Sequence, residues 1–408
     1  MIRLKAGVLA YTMAVSLVVS IILSAIILLG YYARLQSRQY DINLKVDANL
    51  QSAEQLALSN PKAFDYYEPE RLDLFGDEED TVILERRPWG VFDYFKITAK
   101  HGRFERNSYF SMANPPSEKA RSALFLVDER RPLSVVGNTR LTGTVYLPQS
   151  GIQSAYVERV GYQNDSLFYG KRFNSESDMP ELNEDILDAV DEVSKYRKRV
   201  SYRKTFNLEQ KFSSDTLVRF SAIRLHVNDT LSGFIWLDAR KVVLDSLCRL
   251  DNVLVTADVI EIKRGFEGSG QFFAEDTIYV RSGAKVEYPS VLFVSSGLSN
   301  GSIQVEKDAA VKGIVGVEGD VNNYYQRHIY IHEGGTVSGA VYCHGFLEIY
   351  GEIEGHATVR KSLVNATSAI YENYFLNATI NGKKQNEHFL VPPLWFYEEN
   401  QKVLRWLR

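Results

Sequence analysis

Cysteine is nearly absent: the 408 residues contain two, Cys248 and Cys343. Two thiols cannot build a disulfide framework, and they exclude a cysteine-rich zinc or iron–sulfur module. A surplus of one charge is lacking too. Lys and Arg number 47 against 51 Asp and Glu, a formal net charge of −4, so no basic field points to nucleic acid. Proline is sparse at 11 residues. No G-x-x-x-x-G-K-[ST], G-x-G-x-x-G or G-x-S-x-G stands between a strand and a helix, which excludes a phosphate-cradling loop and a nucleophile elbow. Gly265-Phe-Glu-Gly268-Ser-Gly270 is glycine-rich but lies between strands. Tyr (24), Phe (21) and Gly (27) are plentiful, a balance that favours β-structure with tight turns. The length predicts two or three domains.

Ala6 to Gly30 is a run of 25 residues with no charged side chain. As a helix it rises about 37 Å, enough to cross a hydrocarbon core of ~30 Å. It exceeds the apolar core of a cleavable signal peptide and has no small-x-small exit. Residues 6–30 therefore read as an uncleaved signal-anchor in the lipid bilayer. Arg3 and Lys5 precede the run and Arg34 and Arg38 follow it, so the positive-inside count is nearly balanced. A five-residue head is easier to keep inside than a long folded domain. We expect residues 1–5 in the cytoplasm and the bulk extracytoplasmic, periplasmic in a Gram-negative host. Tyr31 and Tyr32 suit an interfacial anchor.

Residues 31–60 read as an amphipathic stalk helix. Leu35, Ile42, Leu44, Val46, Leu50, Leu56 and Leu58 alternate with charged residues, a pattern for packing on a domain or a partner helix. Asn60-Pro61 closes it, because the residue before proline is pushed out of helix. The apolar half followed by an amphipathic half, with Lys5-Ala6-Gly7-Val8 at its start, resembles type IV pilins and pseudopilins. That resemblance implies processing before Val8 and a role as a minor pilin-like subunit. Thr12 occupies the place where that family usually carries Glu.

Short β-runs follow: Thr81–Leu84, Gly90–Ile97 and Phe104–Ser111. They predict a membrane-proximal β-rich domain over 61–135. Residues 136–250 are expected to hold further strands and a helical insertion at about 178–198. Pro180 suits the first turn of that helix, and Leu182, Ile186, Leu187, Val190 and Val193 form an apolar stripe. Asp188 and Asp191 fall on its wet face and read as solvated rather than as a catalytic pair.

The most informative text lies further on. Ile278-Tyr-Val280 is followed by Ala284 and Val286; Ile303-Gln-Val305 by Ala309 and Val311. Ile329-Tyr-Ile331 is followed by Gly335 and Val337; Leu347-Glu-Ile349 by Ile353 and Gly355. Aliphatic or small residues recur at positions 0, +2, +6 and +8, with starts 25, 26 and 18 residues apart. Two inward residues on one strand, a corner, then two on the next describe one coil. Such a coil cannot bury its inner face alone, so successive coils must stack. The expected fold class is mainly β, with a parallel β-helix (solenoid) over 251–383. The short V/I-x-V strands and corners such as Val311-Lys-Gly313-Ile-Val-Gly316-Val317 resemble the bactofilin family of polymer-forming bacterial β-helices. The likeness covers about 110 residues and implies a β-helical architecture.

The apolar tail 384–408 is expected to cap the solenoid or to dock a partner through Trp395 and Trp406. Tyr279 and Tyr330 share position +1 and point outward, where they could line a ligand or glycan surface. His328, His332, His344 and His356 lie within the repeat near Glu333, Glu348 and Glu352, but no metal-ligand spacing links them. Asp251, Asp258, Glu261, Asp276, Glu287 and Glu306 form no paired pattern for glycoside hydrolysis. No catalytic residue, cofactor or metal is assigned. The sequence favours a single-pass, membrane-anchored structural or assembly protein of the cell envelope, with protein partners at the stalk or tail. The alternatives are a membrane-tethered polysaccharide-binding or polysaccharide-active protein and the pilin-like subunit.

Overall fold

The structure is a computed structural model. It describes residues 6–74, 76, 80–180, 182, 199–296, 300–319, 327–392 and 401–407. The expected helix at about 178–198 falls almost wholly outside these, as does Trp395. The chain is mainly β, with one long N-terminal helix, and divides into two compact units.

The first unit comprises Met1–Glu85 and Lys96–Ser108. Its helix, Ala6–Ser59, is unbroken for 54 residues, about 81 Å of rise. The first half is apolar on every side and fully exposed, with a mean hydropathy of 2.7 over its most apolar window. It is long and apolar enough to span a membrane. In the second half the buried line is Val46, Asn49, Ala53 and Ala57, spaced as one helical face. Leu35 and Leu44, expected on that face, are exposed. Ala53 and Ala57, rather than these leucines, are buried on it. In the same unit Glu70–Leu72 pairs antiparallel with Val82–Leu84.

The second unit comprises Arg86–Phe95 and Tyr109–Arg408. Its main body is a parallel sheet that closes on itself. One unbroken line of paired residues runs Leu225, Val242, Ile260, Ile278, Ile303, Ile329, Leu347. All seven are buried in one continuous apolar core. Each is followed two residues on by another inward aliphatic: Val227, Leu244, Ile262, Val280, Val305, Ile331 and Ile349. Between the inward pairs the chain turns at residues such as Gly283 (φ +71°) and Gly334 (φ +78°), a conformation that glycine adopts without strain.

The order of pairing differs from the order of sequence. Leu124–Leu126 lies beside Ala357–Val359, and Val145–Leu147 and Arg172–Asn174 continue from it. In pairing order the N-terminal strands thus follow the C-terminal ones, and the chain then resumes at the other end of that order with Arg199–Tyr202. Strands run across residues 135/136, in Leu133–Val136, and across 250/251, in Arg249–Ile262. Residues 199–244 belong to the same closed sheet. Leu217–Val227 and Ile235–Leu244 run parallel, and Asn228-Asp229 is a corner between strands.

Apolar side chains close both ends of the interior. At one end Tyr202 and Phe206 pack on Phe220, with ring centroids 5.7 and 5.4 Å away. At the other, Tyr162, Leu167 and Phe168 lie against the core. The described parts of the C-terminal tail lie along the flank: Val391 bridges to Asn114, and Lys402–Trp406 pairs antiparallel with Phe110–Ala113. Phe389, Val391 and Leu407 join a second apolar cluster with the outward residues Trp236, Phe273, Phe293 and Tyr342. Gln271 pins a hairpin to this flank: the Val91 amide donates to its Oε1 (2.9 Å), and its Nε2 donates to the Trp89 carbonyl (2.8 Å).

Candidate binding face

Residues at even offsets from the core line point inward, so those at +1 point out. The outward column is Glu261, Tyr279, Gln304, Tyr330 and Glu348, each paired in register with the next. Tyr279 and Tyr330 therefore share one face, as their spacing predicts, with Gln304 between them. Adjacent strands are ~4.8 Å apart, so the two rings are mounted ~9.6 Å apart.

Two columns flank these rings. On one side the Thr277 and Ser302 hydroxyls lie 3.2 Å apart and His328 follows. On the other, Arg281 bonds Glu261 at 3.1 Å and Glu306 at 2.7 Å. The Arg281 guanidinium also sits 4.5 Å from the centre of the Tyr279 ring, a cation–π distance. Tyr330 is bracketed edge-on by His332 at 4.0 Å and Tyr350 at 5.9 Å. Behind it the buried Glu348 carboxylate accepts from the Tyr350 hydroxyl (2.8 Å), with His328 Nε2 at 3.3 Å from its other oxygen, within ion-pair range.

The electrostatics follow from these contacts. Burial alone would raise the Glu261 and Glu306 carboxyls, but the hydrogen bonds and charge of Arg281 outweigh it and hold both below the usual range. Burial lowers the His332 imidazole, against the pull of Glu306 and Glu348. Burial raises the Tyr330 and Tyr350 hydroxyls, helped by the nearby Glu348 carboxylate. The face is thus polar and aromatic, with Glu261 and Glu306 paired to Arg281 and Glu348 buried.

The other expected residues are placed apart. Trp406 is 56% exposed on the tail strand and meets Phe110 edge-on at 5.2 Å. Beside it Arg405 grips Asp251 with two 2.6 Å hydrogen bonds. These line a cleft of about 390 Å³. A larger cleft, about 770 Å³, runs past Trp236, Asp238, Thr256, Asp258 and Phe273. His344 and His356 are buried, away from the outward His328 and His332. Among the described residues no group of three or more His, Cys, Asp or Glu is placed to hold a metal ion. Cys248 and Cys343 are free and buried, and burial pushes both thiols up to about 12.

No family model, curated protein or solved structure matches the chain.

Proposed function

We propose that this protein is a single-pass, membrane-anchored structural or assembly protein. In this reading residues 6–30 lie in the bilayer, residues 1–5 are cytoplasmic, and the bulk is an extracytoplasmic β-helix presenting rigid faces to the envelope or to partner subunits. The observation that carries it is the pairing of an exposed 25-residue apolar stretch of helix with an unbroken parallel ladder whose interior is filled by aliphatic side chains. A filled, laterally extended sheet resists deformation, which suits a scaffold. Alkaline extraction of membranes and protease shaving of intact cells test it. The protein should stay in the membrane pellet, and a C-terminal tag should be lost on shaving. Release by alkali, or a protected tag, would refute the reading.

A second reading, a minor pilin-like subunit, is favoured by the unbroken helix Ala6–Ser59 and by the line Val46, Asn49, Ala53, Ala57 buried within a unit that also holds antiparallel strands. Amino-terminal sequencing separates the two. A chain starting at Val8 supports the pilin reading, and an intact Met1 removes it.

A further inference from the structure

The outward column has a period as well as a composition. We propose that the face from Glu261 to Glu348 binds an extended, uncharged β-1,4-linked glycan strand lying along the direction of strand stacking. The proposal rests on the scaffold reading for its biological setting, but its chemistry is local to this face. In an extended β-1,4-linked chain, alternate sugar rings are flipped, so every second ring presents the same face. Tyr279 and Tyr330 are two pairings apart, ~9.6 Å, which matches that disaccharide repeat. Gln304 stands at the intervening step, where its amide can both donate to and accept from sugar hydroxyls. The hydroxyls of Thr277 and Ser302 flank the same steps.

Charge argues for the same ligand. Glu261 and Glu306 are bonded to Arg281, Lys241 lies 3.5 Å from Glu261, and the buried Glu348 accepts from the Tyr350 hydroxyl. With two of its three carboxylates paired to cations and the third buried, the face offers little to a polyanion or a polycation, and it complements a neutral polyol. The rings are also held before binding, by Arg281 on Tyr279 and by His332 and Tyr350 on Tyr330. Little rotamer freedom would then be lost on association.

The test is calorimetric titration of the full chain in detergent with cellohexaose and with hexa-N-acetylchitohexaose, and with an α-1,6-linked glucan as control. At least one β-1,4 hexasaccharide should bind, its disaccharide far more weakly, and the α-linked glucan not at all. Tyr279→Ala and Tyr330→Ala should each weaken binding about tenfold or more. Gln304→Ala should weaken it less, and Trp406→Ala should leave it unchanged. Tyr330→Phe, which keeps the ring, should bind as the parent does, so a loss from misfolding is told apart. No binding of either hexasaccharide at millimolar concentration overturns the proposal. So does binding indifferent to both tyrosine changes. Neither result touches the scaffold reading, which stands or falls on extraction and shaving.

Discussion

Protonating one buried imidazole should loosen the joint where the two ends of the sheet's sequence meet. His356 is buried beside the pairing of Ala357–Val359 with Leu124–Leu126. Its Nδ1 lies 2.6 Å from the Ser122 carbonyl, and its Nε2 lies 2.5 Å from the Thr358 hydroxyl. A carbonyl only accepts, so Nδ1 carries the proton and Thr358 donates to Nε2. Burial pulls the imidazole down from 6.5 to about 4, against the Ser122 carbonyl. The unfolded chain therefore binds a proton that the folded one refuses between those values. Stability is complete above pH 6.5 and is lost as pH falls toward 4. Each pKa unit is worth about 1.4 kcal/mol, so the loss approaches about 3 kcal/mol. The assay is denaturant unfolding of the full chain in detergent at pH 7.5 and 4.5, beside His356→Gln. Carboxylates such as Glu261 and Asp251, held low by arginines, lose stability in the same direction, and comparison with the variant cancels them. The parent should lose about 2–3 kcal/mol more than the variant. Equal losses would refute the reasoning.

Other perturbations have equally definite outcomes. Gly339 has φ +146°, and a Cβ there would sit 2.0 Å from the Gly313 carbonyl oxygen. Gly339→Ala should therefore cost at least about 2 kcal/mol in a denaturation midpoint. Ile303→Ala, at the middle of the core line, should cost about 2–5 kcal/mol by the same measurement. Gln271→Leu strands the Val91 amide and the Trp89 carbonyl, and should raise hydrogen exchange at that hairpin while costing about 1–3 kcal/mol per unmet group. Cys248 and Cys343, with thiols pushed up to about 12, should take no maleimide at pH 7.5 in the native protein. Both should label after denaturation, as read by mass spectrometry.

The core line was legible where its spacing was regular. Ile278, Ile303, Ile329 and Leu347 carry a small or aliphatic residue at +6, and the repeat is plain. The same spacing runs through Leu225-His-Val227 with Leu231, through Val242-Val-Leu244 with Cys248 and Leu250, and through Ile260-Glu-Ile262 with Phe266. It is harder to see there because Cys248 and Phe266 replace the small corner residue. Outward Trp236, buried by the flank cluster, also blurs the alternation of in and out. The joint between Leu124–Leu126 and Ala357–Val359 has no local signature, since its partners are more than 200 residues apart. Tyr279 and Tyr330 could be placed on one face because only the parity of a strand is needed. The contacts that hold them could not, since Arg281, His332 and Tyr350 lie beyond the strand where the chain has turned. The stalk misled for another reason: apolar bulk drew attention to Leu35 and Leu44, whereas close packing selects Ala53 and Ala57.

Distances along the outward column test the stacked, parallel architecture most directly. Spin labels placed in pairs at Glu261 with Gln304, Tyr330 or Glu348 sit two, three and four pairings apart. Their separations should rise in equal steps of about 4.8 Å, to about 19 Å for the last pair. Separations that do not follow the pairing order would contradict the architecture and the rigid scaffold built on it.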